Sequence, residues 1–320
     1  MTGIHRAVLG SALLIALTSG AAWAQPTIAP DFSLTVGTRL WLTSGYADEQ
    51  TSIPGINPLS DLRWRGTDGI VSELFVDAVW KRLVVRSTLG LGAVLDGAFI
   101  DEDFAANNRN NRFSVTRSSV EGDDILNVSG DIGVRALRWS AADGRPGFLD
   151  LLVGYQYWRE SYEAFGATGV GFVSFNPPVT IDAVVPSDVK VITQDFIWQS
   201  IRVGGRVNIP LPARFGLRGE AMFIPWTSFE LRDVHHLRTD LRQDPSFVQT
   251  GTGGFGYELE GALTYTIWRT LAVEAGFRYW KLESGDGDAK ARTVNGTVNF
   301  KFEGATTERY GPFIGLQYRF

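Results

Sequence analysis

Cysteine is absent from the 320 residues, which excludes disulfides, thiolate catalysis and cysteine-ligated metals. Histidine occurs only three times, so imidazole chemistry is confined to very few positions. After residue 24 there is no 18-residue apolar run, and any embedding in a bilayer must therefore be by a closed barrel. A basic excess is also lacking, with 30 Lys and Arg against 35 Asp and Glu and a net charge of −5. That balance argues against nucleic acid as a partner.

The first residues read as an export signal. Arg6 supplies a positive start, Ala7 to Leu17 form a short apolar run, and Ala22-Trp23-Ala24 gives a small-x-small cleavage pattern. Residues 1–24 are thus expected to be a signal peptide removed before Gln25, too short in its apolar part to span a membrane. The remaining 25–320, without an obvious linker, are expected to form one domain.

Period-two alternation recurs in segments of about ten residues, the length of a tilted membrane strand. Ten such segments are predicted, at 34–42, 72–80, 85–95, 127–136, 149–155, 201–208, 215–223, 257–265, 273–279 and 314–320. In the first, Leu34, Val36, Leu40 and Leu42 alternate with Thr35, Gly37 and Arg39; in the seventh, Phe215, Leu217, Ala221 and Phe223 alternate with Arg218 and Glu220. A soluble β-sandwich also alternates, but three further features favour a barrel. The non-apolar face carries Arg, Asp and Glu in nearly every strand, as a polar lumen would. Connections alternate between short (Lys81-Arg82, 141–147, 209–214, 268–270) and long (43–69, 97–124, 159–196, 227–255, 281–309). Trp41, Trp80, Trp139, Trp158, Trp198, Trp226, Trp268 and Trp280 fall near strand ends, where interfacial girdles belong, and the chain ends on Phe320. The expected fold is an all-β, ten-stranded antiparallel transmembrane β-barrel with short periplasmic turns and long extracellular loops. The polar segments 105–124 and 281–309 are expected to be the least ordered.

Two motifs could carry chemistry. In Asp233-Val234-His235-His236, an extended backbone puts Asp233 and His235 on one face and aims His236 away. A carboxylate beside an imidazole fixes its tautomer and raises its pKa, making a general base for water. The bland reading is a solvated loop pair or a site for an adventitious metal. In Asp101-Glu102-Asp103 the same rule brings Asp101 and Asp103 together; close carboxylates can share a proton, hold a water and stabilise a tetrahedral intermediate. A cation site or an ordinary acidic loop would look the same. Both motifs follow outward-running strands, the third and the seventh, on opposite walls of a ten-stranded barrel, and both are expected in loops at the extracellular rim.

These residues resemble the omptins, barrel proteases of Gram-negative outer membranes, over nearly the whole chain after the signal. The landmarks are Val36-Gly37-Thr38, Leu62-Arg63-Trp64, Ile100-Asp101-Glu102-Asp103-Phe104, Gly154-Tyr155-Gln156, Asp233-Val234-His235 and the final strand. The resemblance implies an aspartic-type endopeptidase in which Asp233 orients His235, His235 and Asp101 activate water, and Asp103 supports the site and its oxyanion. Family members that cut at basic residues hold the basic side chain with two further acids, whose positions fall here at Gly45 and Leu231; Asp48 and Glu49 lie near the first. The resemblance also implies lipopolysaccharide as a lipid required for activity. Tyr155 and Arg159 match part of that site, while a family arginine is replaced by Asp195. No cofactor or metal is expected, the partners expected are peptide or protein substrates and outer-membrane lipid, and the barrel is expected to act as a monomer. The competing readings are a non-catalytic omptin-like barrel serving as a surface adhesin or structural protein, and a small-solute channel. The channel is disfavoured because a narrow lumen lined by both signs of charge can fill itself.

Overall fold

A computed structural model describes residues 32–320 except 176 and 177. The predicted signal peptide lies outside the described residues. Eleven strand segments follow one another: β1 (Phe32–Ile53), β2 (Ile56–Trp80), β3 (Leu83–Ala106), β4 (Asn110–Ser140), β5 (Pro146–Phe175), β6 (Pro178–Pro210), β7 (Phe215–His235), β8 (Phe247–Thr266), β9 (Leu271–Glu283), β10 (Gly287–Thr293) and β11 (Gly296–Arg319). From β1 to β8 each pairs antiparallel with the next, and β1 closes on β11. Segments β9 and β10 both pair with β8 and with β11, so together they form one interrupted stave. The result is the expected ten-stave barrel, from which the β5–β6 hairpin projects past its neighbours, since β6 meets β7 only from Ile192 onward and β5 meets β4 only up to Val170.

The outward face is the apolar one. Leu42, Leu74, Leu91, Ile132, Val153, Phe223, Leu263 and Ile314 are all exposed, as lipid-facing positions must be. The inward face at the same height is filled by charge. Arg39, Arg86, Arg135, Arg202, Arg206, Arg218 and Arg278 face Glu73, Asp77, Asp131, Asp150, Glu220, Glu258, Glu260 and Glu274 in one ion-pair network. Seven guanidiniums against eight carboxylates nearly neutralise one another. Such pairing is what makes burial of these groups tolerable. Glycine makes room for it at one point: a Cβ on Gly154 would lie 2.0 Å from Asp131 Oδ1, the atom that accepts from Arg202 Nε at 2.8 Å.

Two expectations need correction. The long connections are not loops for most of their length. The staves simply continue as hairpins well past the apolar belt, so that β1 and β2 are joined only by Pro54 and Gly55, and β3 and β4 by residues 107–109. Segments 105–124 and 281–309, expected to be the least ordered, are mostly strand, interrupted only at 107–109, 284–286 and 294–295. The second correction concerns tryptophan. Trp80, Trp139, Trp226 and Trp268 do face outward, but Trp41, Trp158, Trp198 and Trp280 are fully buried in the lumen. They share the inward parity of Arg39, Gln156, Ser200 and Arg278 rather than that of the apolar stripe. With Trp64, Tyr162, Phe99, Phe196, Phe229 and Phe302 they stack into an aromatic layer above the ion-pair network. This layer is a dry floor, and the polar groups above it form the cleft.

Candidate active site

Asp101 and Asp103 lie near the end of β3, and Asp233 and His235 at the end of β7. All four were expected in loops; they stand instead on paired strands. The ladder holds Asp101 opposite Leu62 and Asp103 opposite Ser60, and Asp233 opposite Gln194. Strand placement fixes direction more tightly than a loop would.

Asp233 and His235 touch, as the pleat requires: His235 Nε2 lies 3.0 Å from Asp233 Oδ2. The imidazole also packs on the Phe247 ring, at 5.1 Å between centroids. The His235 backbone N–H donates to Ser246 Oγ at 3.0 Å. Burial works against the imidazolium, but the Asp233 carboxylate, its hydrogen bond and then Asp101 lift His235 above its ordinary value. His236 points the other way, its Nε2 2.8 Å from Thr193 Oγ1, and burial with Lys190 nearby lowers its pKa.

Across the cleft, Asp101 is half-buried and Asp103 buried. Burial and then the neighbouring Asp103 push Asp101 well above the carboxylate range, while His235 opposes the shift. Burial raises Asp103 to about 7, against hydrogen bonds from Ser60 and Ser114. Two carboxyls this near favour protonation of one of them, and Asp103 Oδ2 is buried without a hydrogen-bond partner. That Asp101 and His235 each feel the other's charge puts the two half-sites within electrostatic reach across the cleft.

The positions flanking this centre divide by face. Asp48 faces out and is engaged by Arg65. Glu49 faces in and is almost fully buried, beside the Gln249 side chain, whose hydrogen bond favours its charged form. Burial, followed by Asp233, holds its pKa well above normal. Leu231 is buried on the same side as Asp233, an apolar surface where the resemblance implies an acid. On the outer wall, Tyr155 donates to Gln199 Oε1 at 2.7 Å. Arg159 is paired with Asp195 at 2.9 Å, and the nearby Arg232 with Glu230 at 2.6 Å. Among the described residues no cluster of three or more His, Asp or Glu is arranged to hold a metal.

Residue patterns alone did not single out Gln194. Fully buried on β6, it donates from Nε2 to Asp233 Oδ2 at 3.2 Å and accepts from Trp64 Nε1 at 2.7 Å. The signal was available, because Gln194 shares the inward parity of Arg202, Trp198 and Phe196 along β6.

Fold and lumen together define a membrane β-barrel, apolar outside and filled within by ion pairs and aromatic side chains. The sequence matches no family model and no curated protein. Among solved structures, the chain superposes on the outer membrane protease OmpT from Escherichia coli with a TM-score of 0.74. The match is 16% identical and covers 92% of this chain and 99% of that one. The translocator domain of the autotransporter NalP from Neisseria meningitidis matches at a TM-score of 0.36, 12% identical over 90% and 88% of the two chains. The fold is therefore that of the omptin protease, and the resemblance read from the motifs extends to the architecture of the barrel.

Proposed function

We propose that this barrel is an outer-membrane endopeptidase whose cleft faces the cell exterior and whose nucleophile is an activated water. The observation that carries the reading is the Asp233–His235 hydrogen bond set across the cleft from the Asp101–Asp103 pair. With Nε2 committed to Asp233, the other ring nitrogen, Nδ1, is the basic one. In the proposed step, water held between His235 and Asp101 gives a proton to Nδ1 while its oxygen adds to the scissile carbonyl carbon. The proton held by the aspartate pair, with Asp103 as its support, hydrogen-bonds the developing oxyanion. Collapse breaks the C–N bond, and imidazolium returns its proton to the departing amine. The dry aromatic floor below strengthens each of these electrostatic contacts.

The resemblance implies recognition of a basic side chain. With Leu231 apolar, Glu49 is the inward carboxylate left to meet one, so we expect a weaker and less strictly dibasic preference. Outer-membrane lipid would contact the wall carrying Tyr155 and Arg159. Because Arg159 and Arg232 are already paired with acids, we expect lipopolysaccharide to stimulate rather than to be obligatory.

The test is cleavage of a diverse peptide library by the refolded barrel, with and without lipopolysaccharide, for wild type and Asp101→Asn. Cleavage by wild type alone supports the reading. No cleavage by either, with folding confirmed by heat-modifiable gel mobility, would favour the non-catalytic surface barrel.

A further inference from the structure

We infer that Gln194, locked by Trp64, is a positioning residue that holds the Asp233–His235 pair in its working tautomer; this rests on the peptidase reading above. The argument begins with the indole, which can only donate. Trp64 Nε1 points at one end of the Gln194 amide at 2.7 Å, so that end must be the carbonyl oxygen. The NH₂ end is then directed at Asp233 Oδ2, at 3.2 Å. A flipped amide would set an N–H against an N–H and an oxygen against a carboxylate, in a site where both side chains are fully buried. Each such mismatch is costly in a dry interior.

The same oxygen, Asp233 Oδ2, also meets His235 Nε2. Amide and imidazole therefore converge on one atom, and the amide restricts rotation of the carboxylate that selects the Nε2–H tautomer. Trp64 is itself held in place, stacked on Tyr162 at 4.8 Å and packed at a tilt against Phe99 at 4.3 Å. It also spans the lumen. Trp64 stands on β2 two residues from Leu62, the ladder partner of Asp101, whereas Gln194 is the ladder partner of Asp233. One hydrogen bond thus ties the two walls that carry the half-sites. The charged groups facing His235 are Asp233 on its own strand, Asp101 from β3, and Arg238 and Asp240 from the β7–β8 connection, and Glu49 faces Asp233 from β1. All of them remain in the variants below.

The test combines turnover with a readout independent of it: imidazole ¹⁵N spectra of the refolded full chain. A His236→Ala background leaves His235 the one imidazole among residues 32–320. Wild type is expected to show a single Nε2–H tautomer. Gln194→Leu is expected to mix the tautomers and to lower kcat about a hundredfold with KM unchanged, the order of loss that a ~1 Å misplacement brings. Trp64→Phe keeps the stacking but loses the N–H, and is expected to mix the tautomers likewise. Gln194→Glu is isosteric: while protonated it donates to Asp233 as the amide does, and its ionisation adds an alkaline limb to the pH–rate profile. A folded Gln194→Leu variant with one tautomer and wild-type kcat would overturn the inference. A single tautomer in wild type and mixed tautomers in Gln194→Leu, with no peptide cleaved by either, would leave the relay standing and remove the peptidase reading.

Discussion

Replacing Arg278 by methionine tests whether the lumen is a packed ion-pair network or a wet pore. The guanidinium donates to Glu73 at 2.6 and 3.1 Å and to Glu260 at 3.0 and 2.8 Å, and lies over the Trp41 ring at 4.8 Å. Methionine can keep some of the contact with the ring but none of the charge. Glu260 would still have Arg218 at 2.6 Å and Arg39 at 3.3 Å. Glu73 would be left with Arg39 at 3.8 Å, and its side chain is fully buried. Removing one partner of a buried pair costs about 3–5 kcal/mol, because the remaining charge is left without compensation. Replacing Glu73 as well removes that orphan, so Arg278→Met with Glu73→Leu should recover most of the loss, with a coupling of about 2 kcal/mol or more. The assay is equilibrium urea unfolding of the barrel in lipid vesicles, scored by heat-modifiable mobility. A single-variant cost below about 1 kcal/mol would mean that water screens these charges, and the sealed-lumen account would be wrong.

Other outcomes follow from the same geometry. Turnover requires neutral His235, whose pKa is lifted above the ordinary 6.5, so the rate should fall as pH drops through a value above that. Asp233→Asn should move this acid limb to lower pH and, by loss of the correct tautomer, reduce kcat by about 10⁴-fold; an unmoved limb in the pH–rate profile would separate Asp233 from the base. Glu49→Gln should raise KM for peptides with a lysine or arginine at the scissile bond and leave apolar ones unchanged; equal effects on both would remove Glu49 from recognition. Planar-bilayer recordings should show no stable open conductance, and a steady pore would contradict the neutralised lumen.

Much of this molecule was legible from alternation, and the failures have physical causes. The belt strands were readable because lipid outside and charge inside impose opposite demands on successive residues. The tryptophans were misplaced by judging position along the strand and not parity. Trp41 follows Leu40 and precedes Leu42, so it shares a face with Arg39, and Trp280 similarly shares one with Arg278. The inward turn of Glu49 and the outward turn of Asp48 could have been counted from Arg39 in the same way. The half-sites could not. On β7 the lumen-facing residues are even up to Ile224 and odd from Thr227 onward, because the ladder slips by one residue around Pro225. Proline cannot donate to the ladder, and a bulge is where it is tolerated. On β3 the change falls near Leu95 and Asp96, between inward Val94 and inward Phe99. Both pairs of candidate catalytic residues therefore lie beyond a bulge that simple alternation does not reveal, and only the motifs themselves marked them.

The central claim is tested most directly by two adjacent residues. Cleavage of the best library peptide should be measured for His235→Ala and His236→Ala in the same refolded barrel. The account predicts loss of turnover at His235, which is hydrogen-bonded to Asp233. At His236, which contacts Thr193 on the other face, it predicts a rate near wild type. Equal loss at both positions, or full activity without His235, would contradict it.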